Sequence, residues 1–268
     1  MFLRMFLLIV SLSVVSSESM AERSKIVIAH RGVSAFYPEN TMISFQRALE
    51  TSAECVELDV HLSLDDIPIV IHDEDLSRTT TGRGKVGLYP AAVLKKMSAG
   101  YPEKFGEKFY KEKIPLLTEA LALILKKSDK CLLIEIKSHK EDRLYNNRVG
   151  GVVYDTVMRN SAHFKDRVRF ISFDQPILKQ IRKLDATAQI APIFFESPQG
   201  ETMAEQAARL GSDVVIFSKK LLTEKGIFDR SDRIKYFIYT VFPNEFGEME
   251  KIRELYGFAT DFANQIPH

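Results

Sequence analysis

The chain of 268 residues is long enough for one large α/β domain, since single α/β barrels commonly run to about 250 residues. Its composition, 45% hydrophobic and 27% charged, is that of an ordinary globular protein. The 37 basic and 36 acidic residues nearly cancel, which excludes a general attraction to nucleic acid or to an acidic membrane.

The first twenty residues have the order of an export signal. Arg4 precedes the apolar run "MFLLIVSLSVV", and the small residues "SSES" follow it. The run is shorter than the about 20 residues that cross a bilayer, so we expect no membrane span in the mature chain. We therefore expect residues 1–20 to be a signal peptide and the protein to be exported, either periplasmic or secreted. A translation start at Met20 would instead give a cytoplasmic protein.

Residues 25–268 alternate short apolar runs with helix-like segments. Several runs are nearly continuous in Val, Ile, Leu and Phe, which is typical of parallel strands covered on both faces. The predicted strands are "IVIAH", "CVELDV", "IPIVIH", "CLLIEIK", "VRFISF", "QIAPIFF", "DVVIFS" and "IKYFIYTV". Predicted helices begin near Asn40, Thr118, Asp174 and Asn244. Eight strands separated by helices predict an α/β protein with a closed (β/α)8 TIM barrel.

Two places break this alternation. Only about five residues separate the second and third strands, although a parallel crossover needs about a dozen, so this pair is either a local hairpin or a barrel strand without its helix. Residues 73–113, rich in Gly, Lys and Thr, then follow the third strand with at most one short helix. We interpret them as a small cap insertion rather than a linker.

Carboxylates end two of the predicted strands, which is where barrel active sites lie. Glu57 and Asp59 are two apart on one strand and therefore project to the same face, and Glu135 ends another strand. Three converging carboxylates repel each other unless a cation neutralises them, and oxygen ligands suit Mg²⁺ or Ca²⁺. We predict that they bind a divalent metal. The alternative is a buried ion-pair network with Arg31 and Lys137.

Two histidines and two cations end the same group of strands. His30 and His72 beside a hard cation suit general acid–base catalysis, because an imidazole exchanges a proton near pH 7. Arg31 and Lys137 supply the positive charge that stabilises a phosphoryl group in the transition state, so a phosphate ester is the implied substrate. His61 shares the face of Glu57 but is a weaker candidate for a site residue.

Other polar residues receive structural interpretations. His139, His163 and His268 lie in polar segments or at the terminus, where we expect them to be solvated. Cys55 and Cys131 lack the close spacing of a zinc or redox motif, so we expect two buried thiols.

Ordered motifs across residues 25–262 resemble the glycerophosphodiester phosphodiesterase family. They are "AHRG", "PENT", "ELDVHLSLDDIPIVIHD", "LSRTT", "IPLLTEAL", "IEIK" and the late "TD" at 260–261. The resemblance implies a phospholipase-C-like barrel and metal-dependent hydrolysis of glycerophosphodiesters to glycerol 3-phosphate and an alcohol. It implies that His30 and His72 are the acid–base pair, that Glu57, Asp59 and Glu135 are metal ligands, and that Arg31 and Lys137 hold the phosphate.

Two departures from the family pattern concern substrate selection. Asp65-Asp66 stands where the family usually has Asp-Gly, and residues 239–242 replace a "W-T-V-N" strand end. One alternative function is a lysophospholipase D, with Phe105, Phe109 and Tyr110 of the cap lining an acyl groove. The other is a non-catalytic protein that binds phosphate esters, although binding alone would not need an acid and a base.

Overall fold

The computed structural model describes residues 24–224, 226–228 and 233–266. The expected signal peptide at 1–20 and His268 lie outside the described residues. Within these residues, nine strands form one sheet in the order β1-β9-β8-β7-β6-β5-β4-β2-β3, and β1 also pairs with β2. They are β1 Ile26–Ala29, β2 Cys55–Leu62, β3 Pro68–Val70, β4 Cys131–Ile136, β5 Val168–Ser172, β6 Ile190–Phe194, β7 Val214–Ser218, β8 Lys235–Tyr239 and β9 Leu255–Thr260. Leaving out β3, eight parallel strands close a barrel, and this confirms the predicted fold.

The structure decides one strand assignment that the sequence left open and corrects another. Of the two alternatives for the run "IPIVIH", the hairpin is confirmed, because among the described strands β3 pairs antiparallel with β2 alone and has no place in the parallel ring. The eighth barrel strand is β9, a segment that the predicted strands do not include. The helix before it ends at Lys251, and Leu255–Thr260 then pairs in parallel with both β8 and β1.

Helices cover the outside of the barrel and fill part of the insertion. They are α1 Met42–Leu49, α2 Ala91–Leu94, α3 Pro102–Phe105, α4 Leu117–Lys127, α5 Arg143–Ser161, α6 Gln175–Leu184, α7 Met203–Arg209 and α8 Phe246–Lys251. Thr41, not Asn40, caps α1, since its hydroxyl accepts a hydrogen bond from the Ser44 amide. Among the residues that the structure describes, none of the helices combines the length and the apolar character needed to cross a membrane.

The strand period of two divides β2 between two environments. Val56, Leu58 and Val60 face outward into the main core beneath the helices. Cys55 belongs to a second apolar cluster inside the barrel. Glu57 and Asp59 follow Cys55 at the same period, so they also face the barrel interior.

Cys55 and Cys131 form a disulfide, so the prediction of two buried thiols is wrong. Because β3 is not part of the barrel, β2 and β4 are neighbours. The two cysteines lie opposite each other in the register of these strands, with their Cα atoms 4.4 Å apart. The bond joins the amino ends of the two strands that carry the three carboxylates.

The insertion, residues 73–113, lies between the second and third barrel strands and packs around a small core that it shares with the residues flanking it. This core contains Ile69, Ile71, Leu76, Val86, Ala91, Leu94, Ala99 and Ile114. Isolated bridges pair Asp75 with Lys85 and Ser98 with Lys113 within the insertion, and another, from Ile69 to Leu116, joins the segments that flank it. The insertion is therefore a folded unit beside the barrel mouth.

Candidate active site

A cavity of about 190 Å³ opens at the carboxyl ends of the barrel strands. Six of the seven residues predicted for the site line it: His30, Arg31, Glu57, His72, Glu135 and Lys137. The seventh, Asp59, is fully buried against two of them, Arg31 and Lys137. The structure thus brings together residues that are more than 100 positions apart in the sequence.

The carboxylate triad, Glu57, Asp59 and Glu135, converges inside the barrel. One oxygen from each lies within 4.8 Å of the others, and all three side chains are buried. Asp59 and Glu135 are direct partners in the register of β2 and β4, which explains their proximity. Within the described residues, no other group of His, Cys, Asp and Glu meets this criterion for a metal site.

The triad fits a hard divalent cation. Glu57 Oε1 is buried without a hydrogen-bond partner, a costly state for a carboxylate oxygen that a cation would relieve. Burial and the neighbouring charges of Asp59 and Glu135 raise the pKa of Glu57 well above its ordinary value. Burial alone would also raise the pKa of Asp59, but Lys137 and Arg31 outweigh it and hold that pKa well below normal.

Two cations pair with the triad without neutralising it. Lys137 Nζ lies 2.8 Å from Asp59 Oδ1 and also contacts Glu135. Arg31 Nε lies 3.2 Å from Asp59 Oδ2. Burial works against both cations, but the carboxylates raise the pKa of Arg31 and of Lys137, so both stay charged. Both cations pair with Asp59 or Glu135, so the ion-pair network alone leaves Glu57 Oε1 without a partner.

The turn after β1 explains why a glycine follows Arg31. Gly32 has a φ of +85°, and a Cβ at this position would lie 2.3 Å from Ser44 Oγ. Arg31 itself has a φ of +56°, in the left-handed region. In this turn the Arg31 amide donates to Glu57 Oε2 at 2.9 Å, so the backbone and the triad hold each other.

Each of the two predicted catalytic histidines is oriented by its own carboxylate. His30 Nδ1 donates to Asp261 Oδ1 at 2.7 Å, and Ser34 Oγ donates to the same oxygen. This tautomer leaves Nε2 free, 4.0 Å from Glu57 Oε2. His72 Nδ1 donates to Asp73 Oδ1 at 2.5 Å. A hydrogen bond from His72 keeps the pKa of Asp73 far below its ordinary value despite partial burial.

Four residues that were not predicted from the sequence to belong to the site surround these groups. Asn40 Nδ2 donates to Asp59 Oδ2 at 2.7 Å, and its Oδ1 accepts from the Asp59 amide. Glu39 accepts from Arg31, while Arg78 bonds both Glu39 and Asp73. Asp261 completes the set. All four lie in segments that carry the family resemblance, "PENT", "LSRTT" and "TD". These motifs therefore marked the residues as candidates, although no function was inferred for them.

His61 lies behind the cavity rather than on its wall. Its Nε2 donates to the His72 carbonyl at 3.0 Å, and its Nδ1 accepts from His139 Nε2 at 3.1 Å. Burial lowers the pKa of His61 to about 4, so the ring is neutral.

His139 stacks on the Tyr145 ring at 3.7 Å and is mostly buried, so the expectation that it is solvated is wrong.

The opposite side of the cavity is apolar. Its lining residues on β5 to β8 include Ile171, Phe173, Ile193, Ile216 and Tyr239. The cap aromatics do not contribute to this wall, because Phe105 packs against Phe109, which packs against Tyr37. The acyl groove expected at Phe105, Phe109 and Tyr110 therefore does not border this cavity.

A scan of protein families matches residues 30–264 to the glycerophosphoryl diester phosphodiesterase family. A glycerophosphodiester phosphodiesterase of Caldanaerobacter subterraneus is 39% identical over 175 residues, covering 63% of this chain and 66% of the relative. The aligned region thus spans just under two thirds of that relative. A solved phosphodiesterase of Oleispira antarctica, in complex with the product sn-glycerol-3-phosphate, has a TM-score of 0.77 at 27% identity, covering 90% of this chain and 94% of that one. A Thermotoga maritima glycerophosphodiester phosphodiesterase has a TM-score of 0.71 at 25% identity, covering 90% and 96%.

Proposed function

The chain belongs to the glycerophosphoryl diester phosphodiesterase family, and from this premise we propose that it hydrolyses glycerophosphodiesters to glycerol 3-phosphate and an alcohol. One observation carries the proposal: the carboxylate triad, two cations and two carboxylate-bound histidines meet at one cavity. A protein that only bound phosphate esters would use the cations but would not need two oriented imidazoles.

Glu57, Asp59 and Glu135 would hold the divalent cation, Mg²⁺ or Ca²⁺, through oxygen ligands. When bound, the metal supplies Lewis-acid stabilisation of the negative charge on the phosphoryl oxygens. Arg31 and Lys137 line the same cavity and add fixed positive charge that binds and orients the phosphate diester.

The two histidines move the protons. His30 takes the proton of the nucleophilic hydroxyl at Nε2, since its Nδ1 is engaged with Asp261. A new P–O bond forms as the bond to the leaving alcohol breaks, and His72 donates its Nε2 proton to the leaving alkoxide. Asp73 remains ionised and stabilises the protonated His72 before this transfer.

Either water or the neighbouring glycerol hydroxyl can serve as the nucleophile in this arrangement. Attack by the hydroxyl forms a cyclic phosphate that water opens in a second step. Phosphorus NMR of a reaction at high enzyme concentration separates the two routes, because only the second gives a transient cyclic phosphate signal.

A substrate panel tests the activity. Glycerophosphocholine, glycerophosphoethanolamine and glycerophosphoglycerol are incubated with the protein and Mg²⁺ or Ca²⁺, and glycerol 3-phosphate is measured by a coupled assay. We expect turnover of at least one diester. Absence of turnover on the whole panel with both metals would contradict the proposal.

The apolar wall supports a second candidate function, lysophospholipase D activity. Phe173 and Tyr239 pack edge to face in the cavity, and Phe195 and Phe242 stand exposed on the loops after β6 and β8. An acyl chain would bury this surface. A higher kcat/KM for lysophosphatidylcholine than for glycerophosphocholine would support this function, and the reverse order would exclude it as the main activity.

We also propose that the protein is exported. The signal-like order of residues 1–20 supports this, and so does the Cys55–Cys131 disulfide, since such bonds persist mainly in oxidising compartments. Fractionation of the native host tests the proposal: the protein should appear outside the cytoplasm and lack its first residues in mass spectrometry. A cytoplasmic protein with free thiols would contradict it.

A further inference from the structure

Arg78, on the insertion, bonds two carboxylates at once. Its Nη1 and Nη2 donate to the two oxygens of Glu39 at 2.9 and 2.8 Å. Its Nε and Nη2 donate to the two oxygens of Asp73 at 2.5 and 3.1 Å. The guanidinium therefore forms paired contacts along two of its edges, the strongest arrangement that an arginine makes with carboxylates.

Each of these carboxylates holds a different predicted site residue at its far side. Asp73 Oδ1 accepts from His72 Nδ1, which fixes the imidazole that is to donate the proton. Glu39 Oε1 accepts from Arg31 Nη1 at 2.9 Å, and Arg31 in turn pairs with Asp59 of the carboxylate triad. A continuous chain of contacts thus runs from His72 through Arg78 to Arg31.

Only an arginine supplies this geometry. The planar fork offers five donors, whereas a lysine ammonium is a compact charge that cannot bond both carboxylates in pairs. Tyr101 supports the position further, because its hydroxyl accepts from Nη1 at 3.3 Å and Arg78 Cζ lies 5.4 Å from its ring centre. Arg78 is absent from the cavity lining, so its influence on a substrate passes through other residues.

We propose that Arg78 is a positioning residue that couples the proton-donating side of the site, His72 and Asp73, to the phosphate-binding side, Arg31 and Glu39. It sets the orientation of the His72 ring and of the Arg31 guanidinium together. The insertion thereby contributes to the reaction through one side chain held between two carboxylates. The kinetic part of the test depends on the proposed hydrolysis of glycerophosphodiesters.

A double-mutant cycle measures this coupling. Glu39→Gln and Asp73→Asn keep side-chain size and remove charge, and they alter residues joined through Arg78. If the two residues are coupled, the fold-loss of kcat/KM in the double variant should be smaller than the product of the two single fold-losses. We expect it to be smaller by a factor of about three or more. When the same substitutions are made in the Arg78→Gln protein, the fold-loss of the double substitution should agree with the product of the two single fold-losses to within about twofold. Independent losses in the protein that retains Arg78 would overturn the proposal.

Two further variants separate positioning from charge and from folding. Arg78→Lys keeps the positive charge but should abolish the coupling as Arg78→Gln does, so retained coupling in R78K would contradict the argument from the guanidinium fork. Arg83→Gln makes the same change on an exposed residue of the same insertion and should leave kcat/KM and the coupling unchanged. A loss in R83Q as large as in R78Q would assign the effect to the insertion as a whole and overturn the specific role.

Imidazole NMR tests the coupling without any turnover. The His72 ring nitrogen signals are assigned by their loss in His72→Ala and followed in Glu39→Gln, which alters a residue on the far side of Arg78. We expect the signals to shift in E39Q when Arg78 is present and to be insensitive to E39Q in the R78K protein. No shift in either protein would refute the coupling even if hydrolysis is observed. A shift in a protein that hydrolyses nothing would uphold the coupling while the proposed function fails.

Discussion

The two halves of the barrel mouth are built from the same strand and loop repeat but carry opposite chemistry. The charged half, on β1, β2, β4 and the turn after β3, presents His30, Arg31, Glu57, His72, Glu135 and Lys137 to the cavity. The apolar half, on β5 to β8, presents Ile171, Phe173, Ile193, Ile216 and Tyr239. This difference shows that the barrel sets where side chains lie, while the residues at the strand ends determine what those side chains do. We therefore expect the rate of hydrolysis and the selectivity for the alcohol group to respond to different substitutions.

The halves also differ in what holds them together. The apolar half gains stability from buried side chains that need no partner. In the charged half, removal of one member leaves a buried charge without compensation, which typically costs about 3–5 kcal/mol. Substitutions there therefore need neutral replacements of similar size if the fold is to survive, and each activity measurement needs a melting curve beside it.

The largest expected effect is on His72, the proposed proton donor of the charged half. His72→Ala should lower kcat by about 100-fold or more while the protein remains folded, because general acid catalysis by a positioned histidine contributes about that much. The matched control is Ser172→Ala on β5, a residue whose hydroxyl donates to the Ile136 carbonyl and which does not line the cavity. Steady-state kinetics on one diester measures both variants. Near-normal turnover in folded H72A would remove His72 from the mechanism.

A change in the carboxylate triad should alter the metal requirement. Glu135→Gln keeps the side-chain size but removes one anionic ligand, so the metal concentration for half-maximal activity should rise about tenfold or more. Ser172→Ala should leave that concentration unchanged. Activity titrations with Mg²⁺ and Ca²⁺ provide the measurement. An unchanged requirement in E135Q would exclude Glu135 as a ligand.

Behind the charged half, His61 should make stability depend on pH. Burial holds the pKa of His61 at about 4 in the folded protein, below its ordinary value of 6.5. The unfolded chain therefore binds more protons between these values, and stability falls as the pH drops through this window. From pH 7 to pH 5.5 the wild type should lose about 1 kcal/mol more unfolding free energy than His61→Gln. Urea unfolding at both pH values checks this, and parallel losses in the two proteins would contradict a neutral buried His61.

The smallest expected effect lies in the apolar half. Phe173→Ala removes an exposed ring from the cavity wall, so kcat for glycerophosphocholine should stay within about threefold while relative kcat/KM values for different alcohol groups change. The comparison of choline, ethanolamine and glycerol diesters measures the change. A collapse of kcat on all of them, comparable to that of H72A, would show that reaction and selectivity are not divided between the halves.

The residues of the charged half could be predicted because side chains alternate along a strand with a period of two and because barrel active sites lie at the carboxyl ends of the strands. Glu57 and Asp59 had to share a face, and residues at the carboxyl ends of parallel strands had to meet at one end. The same reasoning could not place β3, since hairpin pairing and barrel pairing both tolerate an apolar run of that length. The disulfide between Cys55 and Cys131 was missed for the same reason, because β2 and β4 are neighbours only if β3 is not part of the ring.

The supporting contacts could not be derived from periodicity at all. Asp261 reaches His30 because β9 closes the barrel beside β1, a pairing between segments about 230 residues apart. Arg78 reaches Glu39 across a separation of 39 residues because the insertion folds around a small core that is separate from the main core of the barrel. Such contacts depend on how loops pack, and loop packing leaves no repeating pattern in a single sequence.

Metal removal tests the central claim, that the charged half is built around a divalent cation, most directly. Turnover and melting temperature are measured on the same sample after exhaustive chelation, verified by elemental analysis, and again after Mg²⁺ or Ca²⁺ is restored. Without the metal, Arg31 and Lys137 offset only part of the repulsion among the three carboxylates, so turnover should vanish and the melting temperature should fall, and both should return with the metal. Full activity in verified metal-free protein would contradict the account and leave the three carboxylates as members of a buried ion-pair network.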